Sequence, residues 1–172
     1  MASSRSFMFY DKEVGVAGPQ LQVGQQAPEF TTVAMDWSEV NGLQSTAGKV
    51  RIIGALPSLN SSVCDRETRR FNQEAAGLSE DIAIIMVSMD LPYTLKNWCA
   101  AAGIDKVITL SDHKTAEFGE KFGVLLKEIR VFRRAIFVVD REGKIVYAEY
   151  MPSNRDEPNY DEVLAAARSA LS

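Results

Sequence analysis

The stretch Val50-Arg51-Ile52-Ile53-Gly54-Ala55-Leu56-Pro57-Ser58-Leu59-Asn60-Ser61-Ser62-Val63-Cys64 decides the fold class. Its opening is apolar and β-branched without strict alternation, the pattern of a strand covered on both faces. Pro57 ends that strand, because proline has no N–H to give to a ladder. A short Ser/Asn loop leads into a helix predicted over residues 63–76, with Phe71, Ala75 and Leu78 at apolar spacing and Gly77 placed to close it.

Working outward, residues 82–89 read as a second buried strand. Pro92 then suits a first helical turn, and Leu95, Trp98, Cys99 and Ala102 fall on one face of a helix closed by Gly103. Residues 107–110 read as a short strand, 115–122 as a helix and 135–139 as a strand. Asp140-Arg141-Glu142-Gly143 turns into an antiparallel strand over residues 145–150, and an Ala/Leu helix over residues 160–171 ends the chain. Upstream, Val14, Val16, Leu21 and Val23 surround the turn signal Gly18-Pro19, which predicts an N-terminal β-hairpin within residues 12–23; extended pieces follow over residues 30–35 and 40–44. This order predicts an α/β fold, a central mixed sheet flanked by helices with right-handed crossovers. It suits a thioredoxin-like core without separating it from other α/β layouts. No repeat, low-complexity tract or long linker divides residues 1–172, so one domain is expected.

With 46% hydrophobic and 24% charged residues, the composition is that of an ordinary globular protein and excludes intrinsic disorder and a collagenous repeat. At this length roughly 70% of the unfolded chain's surface is buried on folding, so the core needs no staples. Nineteen Lys+Arg against 23 Asp+Glu give a net charge of −4, which argues against a nucleic-acid surface. The short basic clusters, Arg66, Arg69 and Arg70 beside Asp65 and Glu67, and Arg130, Arg133 and Arg134 after Lys127 and Glu128, read as solvated faces. No apolar run reaches the ~18 residues of a membrane span, no export segment is readable, and a cytoplasmic location is expected. No Gly-rich phosphate loop is present.

Two cysteines and one histidine narrow the chemistry. A structural zinc site wants four Cys/His ligands, and Cys64, Cys99 and His113 are the whole supply, so no metal is expected. A nucleophilic thiol has to be Cys64 or Cys99. Cys64 falls in the first turn of its helix, where unpaired N–H groups and the macrodipole favour an anion, and the thiolate is the nucleophilic form of cysteine. Ser61 or Ser62 can cap that helix. From position alone, Cys64 reads equally as a reactive thiol or as a small buried apolar residue. Cys99, on the stripe with Leu95 and Trp98, reads by periodicity as core packing. His113 reads as a loop or surface residue without a catalytic role.

The surrounding residues tip this balance. Pro57, Ser61 and Cys64 fit the pattern P-x-x-x-T/S-x-x-C. Thr68-Arg69-Arg70-Phe71-Asn72, Val87-Ser88-Met89-Asp90-Leu91-Pro92, Arg134-Ala135-Ile136-Phe137-Val138-Val139-Asp140 and Glu157-Pro158-Asn159-Tyr160-Asp161 follow in order. Together these resemble the thiol peroxidase branch of the peroxiredoxins over about residues 14–171. The resemblance implies a thioredoxin-like fold with an N-terminal hairpin and reduction of hydrogen peroxide and alkyl hydroperoxides without a cofactor. It implies that Cys64 is the peroxidatic cysteine, that Ser61 contacts the peroxide, and that Pro57 shields the thiolate. It further implies that Arg134 stabilises the thiolate and orients substrate, a task that suits a permanently charged group with several fixed donors. Two departures stand out. The family usually has threonine at Ser61, and serine lacks the methyl that fixes the rotamer. Ser62 is a mild change from a small residue or proline. Arg133 adjoins Arg134 and on a strand points to the opposite face, so a shifted alternation would hand it the role instead.

The resemblance also implies that Cys99 resolves the sulfenic acid at Cys64 as an intrasubunit disulfide, which thioredoxin reduces, and that the protein is a homodimer. A disulfide needs Cα atoms within ~7 Å, so cysteines on two helices predict local unwinding around residues 60–68 and 92–102 on oxidation. The alternative is a peroxide-responsive redox sensor or binding module with the same switch. A disulfide oxidoreductase is disfavoured by the lack of a Cys-x-x-Cys motif.

Overall fold

The computed structural model describes residues 5–172, so the first four residues of the expected domain lie outside the described residues. Its centre is a seven-stranded mixed sheet. Strands β1 (Arg5–Phe9) and β2 (Lys12–Val16) form a hairpin; β3 (Thr31–Val33) and β4 (Glu39–Asn41) pair antiparallel; β5 (Val50–Ala55) leads into α1 (Ser62–Ala75). Then come β6 (Ile82–Ser88), α2 (Pro92–Ala102), β7 (Ile108–Ser111), α3 (Glu117–Lys121), the two-residue strands β8 (Leu125–Leu126) and β9 (Val131–Phe132), β10 (Ala135–Val139), β11 (Ile145–Tyr150) and α4 (Tyr160–Ser169). The sheet order is β11-β10-β5-β6-β7-β3-β4, with β5, β6 and β7 parallel and β10 antiparallel to β5. A smaller sheet, β1-β2-β8-β9, sits beside it.

The strands are predominantly apolar without strict alternation because β5, β6 and β10 are buried along their whole length. Alternate residues still go to opposite faces. Ile52, Ile84, Ile136 and Val138 join Phe71 of α1, Leu95 of α2 and Val163 of α4 in one core. Ile53, Ile85 and Phe137 join Phe30, Phe118 and Phe122 in the other. Each fully buried side chain of this size contributes about 1.5–3 kcal/mol. Gly54 keeps β5 close to β6, since a Cβ there would stand 2.4 Å from Met86 Sδ. Arg51 interrupts the apolar run without facing solvent: its guanidinium donates to Thr46 Oγ1, Leu43 O and Asp140 O at 3.0, 2.9 and 2.9 Å.

Three local expectations are corrected. The hairpin turns at Tyr10-Asp11, with Tyr10 at φ +56°, and not at Gly18-Pro19. Gly18 is needed for two reasons, its φ of +80° and the Glu120 carbonyl, with which any Cβ there would collide, a packing demand that mimics a turn signal. Helix α1 ends at Ala75 with Ala76 as its C-cap, not Gly77, whereas Gly103 caps α2 at φ +68° as expected. The third helix is shorter than residues 115–122, because Asp112 accepts from the N–H groups of Phe118 and Gly119 and starts it late.

Candidate active site

Helix α1 begins at the end of a loop suspended from the neighbouring strand. Asp90, just past β6, accepts from Ser58 Oγ (2.7 Å), Leu59 N (2.9 Å) and Ser88 Oγ (2.8 Å). The loop from the half-buried Pro57 to Asn60 is thereby fixed to the end of the parallel strand beside it. Ser61 then caps α1, its Oγ accepting from Cys64 N at 3.4 Å. That places Cys64 in the first turn with its side chain fully buried.

Arg134 approaches the same sulfur from the start of β10. Register pairs Ala135 with Ala55, so the residue before β10 lies beside the residues that leave β5. Arg134 Nη2 donates to Cys64 Sγ at 3.1 Å and to the Asn154 carbonyl at 3.0 Å, while Nη1 donates to Glu67 Oε2 at 2.6 Å. Its backbone N–H is held by Asn154 Oδ1 at 2.7 Å. Arg133 turns the other way, over the rings of Phe7 and Tyr150, with its Nη2 on the Met151 carbonyl. The basic cluster around residues 127–134 therefore divides: Lys127, Glu128 and Arg130 are exposed as expected, whereas Arg134 is 0% exposed and Arg133 half-buried beneath aromatic rings.

Glu67 is a second correction. Grouped by sequence with exposed arginines, it is 0% exposed and paired with Arg134. Burial pushes its carboxyl up to about 7, against the pull of the guanidinium. For Arg134 burial works against the charge, but Glu67 and Cys64 more than offset it and hold the guanidinium above its ordinary range. The signal was present in the spacing, since Cys64, Glu67, Thr68 and Phe71 share one helix face and a glutamate on an apolar stripe needs a buried partner. Asn154 carried no comparable signal.

Cys99 is buried on α2, its Sγ 3.5 Å from Thr109 Oγ1 on β7, and both cysteines are free thiols. Burial pushes the Cys99 thiol up, and the Thr109 bond pulls less strongly the other way. The structure thus joins Ser61, Cys64 and Arg134 in one cluster and holds Cys99 outside it. His113 is half-buried, bonded through Nδ1 to Ser111 Oγ and set edge-on to Trp37. Among the described residues no group of three or more His, Cys, Asp or Glu is arranged to hold a metal ion. An open hollow of roughly 530 Å³ lined by Pro19, Leu21, Gln25, Glu120 and Lys121 contains none of the thiol cluster.

A buried sulfur at a helix start, 3.1 Å from a guanidinium, faces two sources of positive potential, the setting in which an anion is favoured. The model of the redoxin family matches residues 22–164. The chain is 47% identical to the thiol peroxidase of Oceanobacillus iheyensis over 157 residues, 91% of this chain and 94% of the relative. It is also 47% identical to the thiol peroxidase of Bacillus subtilis over 158 residues, 92% and 93% of the two. Among solved structures, a peroxiredoxin-like protein from Aquifex aeolicus superposes with a TM-score of 0.87 at 36% identity, covering 97% of this chain and 98% of that one.

Proposed function

Because the chain belongs to the redoxin family and is a thiol-dependent peroxidase with a thioredoxin-like fold, we propose that Cys64 is its attacking thiol and Cys99 its resolving thiol. The observation that carries this reading is the Arg134 contact to Cys64 Sγ at the start of α1. The thiolate sulfur attacks the terminal oxygen of a hydroperoxide, the O–O bond breaks, sulfur becomes a sulfenic acid, and the departing alkoxide or hydroxide takes a proton from solvent. Arg134 supplies donors to the thiolate and to the oxygen on which charge develops. Ser61 Oγ accepts from Cys64 N, which leaves its O–H to donate to the peroxide, and Pro57 shields the sulfur. The Cys99 thiol then displaces hydroxyl from the sulfenic sulfur, giving a disulfide and one water. Each sulfur sits in its own buried setting, one on Arg134 and one on Thr109, so residues 60–68 and 92–102 unwind to bring them together. A dithiol, thioredoxin in this reading, takes the two oxidising equivalents. Hydrogen peroxide and alkyl hydroperoxides are the substrates. A homodimer fits the exposed Leu91, Tyr93 and Trp37, an apolar patch that a second copy can cover.

The test is NADPH consumption with peroxide, thioredoxin and its reductase. Sustained turnover supports the cycle, and consumption of one equivalent followed by arrest would point to a sensor. Cys64→Ser abolishes peroxide consumption; Cys99→Ser leaves sulfenic acid formation intact and stops thioredoxin-linked turnover. Equal loss of the first step in both variants contradicts the assignment.

A further inference from the structure

The side chains next to the two cysteines are tied to each other. Trp98, one residue before Cys99, donates from Nε1 to Oδ1 of Asp65, one residue after Cys64, at 3.0 Å. Among the described residues this is the one side-chain hydrogen bond between α1 and α2. Asp65 Oδ2 is held in turn by Arg69 Nε at 2.9 Å, and the Arg69 guanidinium lies 5.7 Å from the Trp98 ring centroid. Both carboxylate oxygens of Asp65 are thus engaged, and Arg69 contacts both members of the inter-helix bond.

We propose that Asp65, Trp98 and Arg69 form a latch that keeps the two cysteine-bearing helices wound in the thiol state and sets the rate at which Cys99 captures the sulfenic acid at Cys64. The three are positioning residues: none touches the reacting sulfur, and each acts through the helices. The inference rests on the reading of Cys99 as the resolving thiol. The latch has to open because residues 60–68 and 92–102 contain Asp65 and Trp98 themselves; the unwinding that frees the thiols separates the two partners. Its strength then decides a competition. The sulfenic acid either loses hydroxyl to Cys99, giving a disulfide and water, or attacks a second peroxide, giving a sulfinic acid and water. A strong latch prolongs the wound state and favours the second fate at high peroxide, and a weak one favours the disulfide.

The experiment uses the full-length protein. One equivalent of hydrogen peroxide is added to the reduced form, samples are quenched with a thiol-alkylating reagent over time, and the Cys64–Cys99 bridge is quantified by non-reducing mass spectrometry. In parallel, peroxide is raised until half of Cys64 is sulfinic acid. Trp98→Phe keeps the packing and removes the donor; since a hydrogen bond to an ionised acceptor contributes on the order of tenfold to an equilibrium, disulfide formation accelerates about tenfold and the half-overoxidation concentration rises by the same factor. The rate of the first reaction with peroxide stays the same, a split that general destabilisation of the core would not produce. Arg69→Gln, at an exposed position that tolerates change, shifts both readouts about threefold in the same direction and carries the test alone if Trp98→Phe does not fold. Disulfide formation that is unchanged or slower in the variants, with the bridge intact, overturns the latch. Absence of the bridge in the unmodified protein overturns the resolving role of Cys99 instead.

Discussion

Replacing Arg134 with methionine keeps an apolar stem in the core and removes its donors to Cys64 Sγ, Glu67 Oε2 and the Asn154 carbonyl. Two separable losses follow. Loss of a fixed donor at the reacting centre costs about 2.7–4 kcal/mol of transition-state stabilisation, so oxidation of Cys64 by peroxide slows by about 10²–10³-fold. Stability falls through Glu67, which is left buried without its countercharge at a cost of about 3–5 kcal/mol. That second cost depends on pH. Burial already pushes the Glu67 carboxyl to about 7, and loss of Arg134 moves it further in the same direction. At pH 8 the carboxyl has to be forced neutral or left charged in the core; at pH 5 it is neutral with or without the arginine, and the destabilisation shrinks. Adding Glu67→Gln to Arg134→Met therefore returns about 2 kcal/mol at pH 8 without restoring peroxide reactivity. Rapid-mixing kinetics of thiol oxidation gives the first quantity and urea denaturation followed by circular dichroism gives the second. If Arg134→Met is oxidised within about threefold of the parent rate, or if the double variant is no more stable than the single one, the roles assigned to this pair are wrong.

Ser61→Ala loses the α1 cap, about 1 kcal/mol by thermal or urea unfolding, and also slows thiol oxidation, whereas Ser61→Thr retains both the cap and the reaction rate. Asp112 is buried and its carboxyl is pushed up to about 7 by burial, so its contribution to stability is complete below its ordinary range near pH 4 and is lost as pH rises through 7. Asp112→Asn, which cannot ionise, should flatten the fall in unfolding free energy between pH 5 and 8 by on the order of 3 kcal/mol, and an unchanged slope would contradict the assignment. Asp90→Ala releases the loop before Cys64 from two hydrogen bonds and frees Ser88 from a third, and is expected to lower the peroxide reaction rate about tenfold while costing about 2 kcal/mol of stability.

The central strands were legible because burial on both faces writes itself as runs rich in Val, Ile and Ala at β5, β6 and β10, interrupted only at Arg51 and at the end of β6. Helix α2 was legible because Pro92 and Gly103 mark both of its ends. The hairpin was misplaced because Tyr10-Asp11 carries no glycine to announce a turn, while Gly18-Pro19 carries the signal for a different reason, the proximity of Glu120. Strands β8 and β9, two residues each, span a single period of alternation, too little to show a pattern. Within the site, Cys64 and Ser61 are local features of a helix start and could be read as such. Glu67 was hidden by its neighbours Arg66 and Arg70, whose charges belong to another face of the same helix. Asn154 lies after β11 and reaches Arg134 only through tertiary packing.

The choice between Arg133 and Arg134 shows what local pattern lacks. Both precede the same strand and have the same chemistry, and their separation depends on which of them faces α1 once β10 has paired with β5. That pairing is antiparallel with Ala135 opposite Ala55, so the beginning of β10 meets the end of β5, where the chain leaves for Cys64. The parallel pair β5 and β6 finishes at the same end of the sheet, with Ala55 opposite Val87, which brings Asp90 within reach of the loop. One end of the central strands therefore collects the thiol, the loop anchor and the guanidinium from the ends of three separate strands. A slip of one residue in the β5–β10 register would exchange the two arginines, sending Arg134 toward Phe7 and Tyr150 and leaving Glu67 beside Arg133. The buried Glu67–Arg134 pair opposes that slip, because Arg133 in its place would abandon its aromatic contacts and its bond to the Met151 carbonyl. The residues that hold the thiolate thus also help specify the register that delivers them.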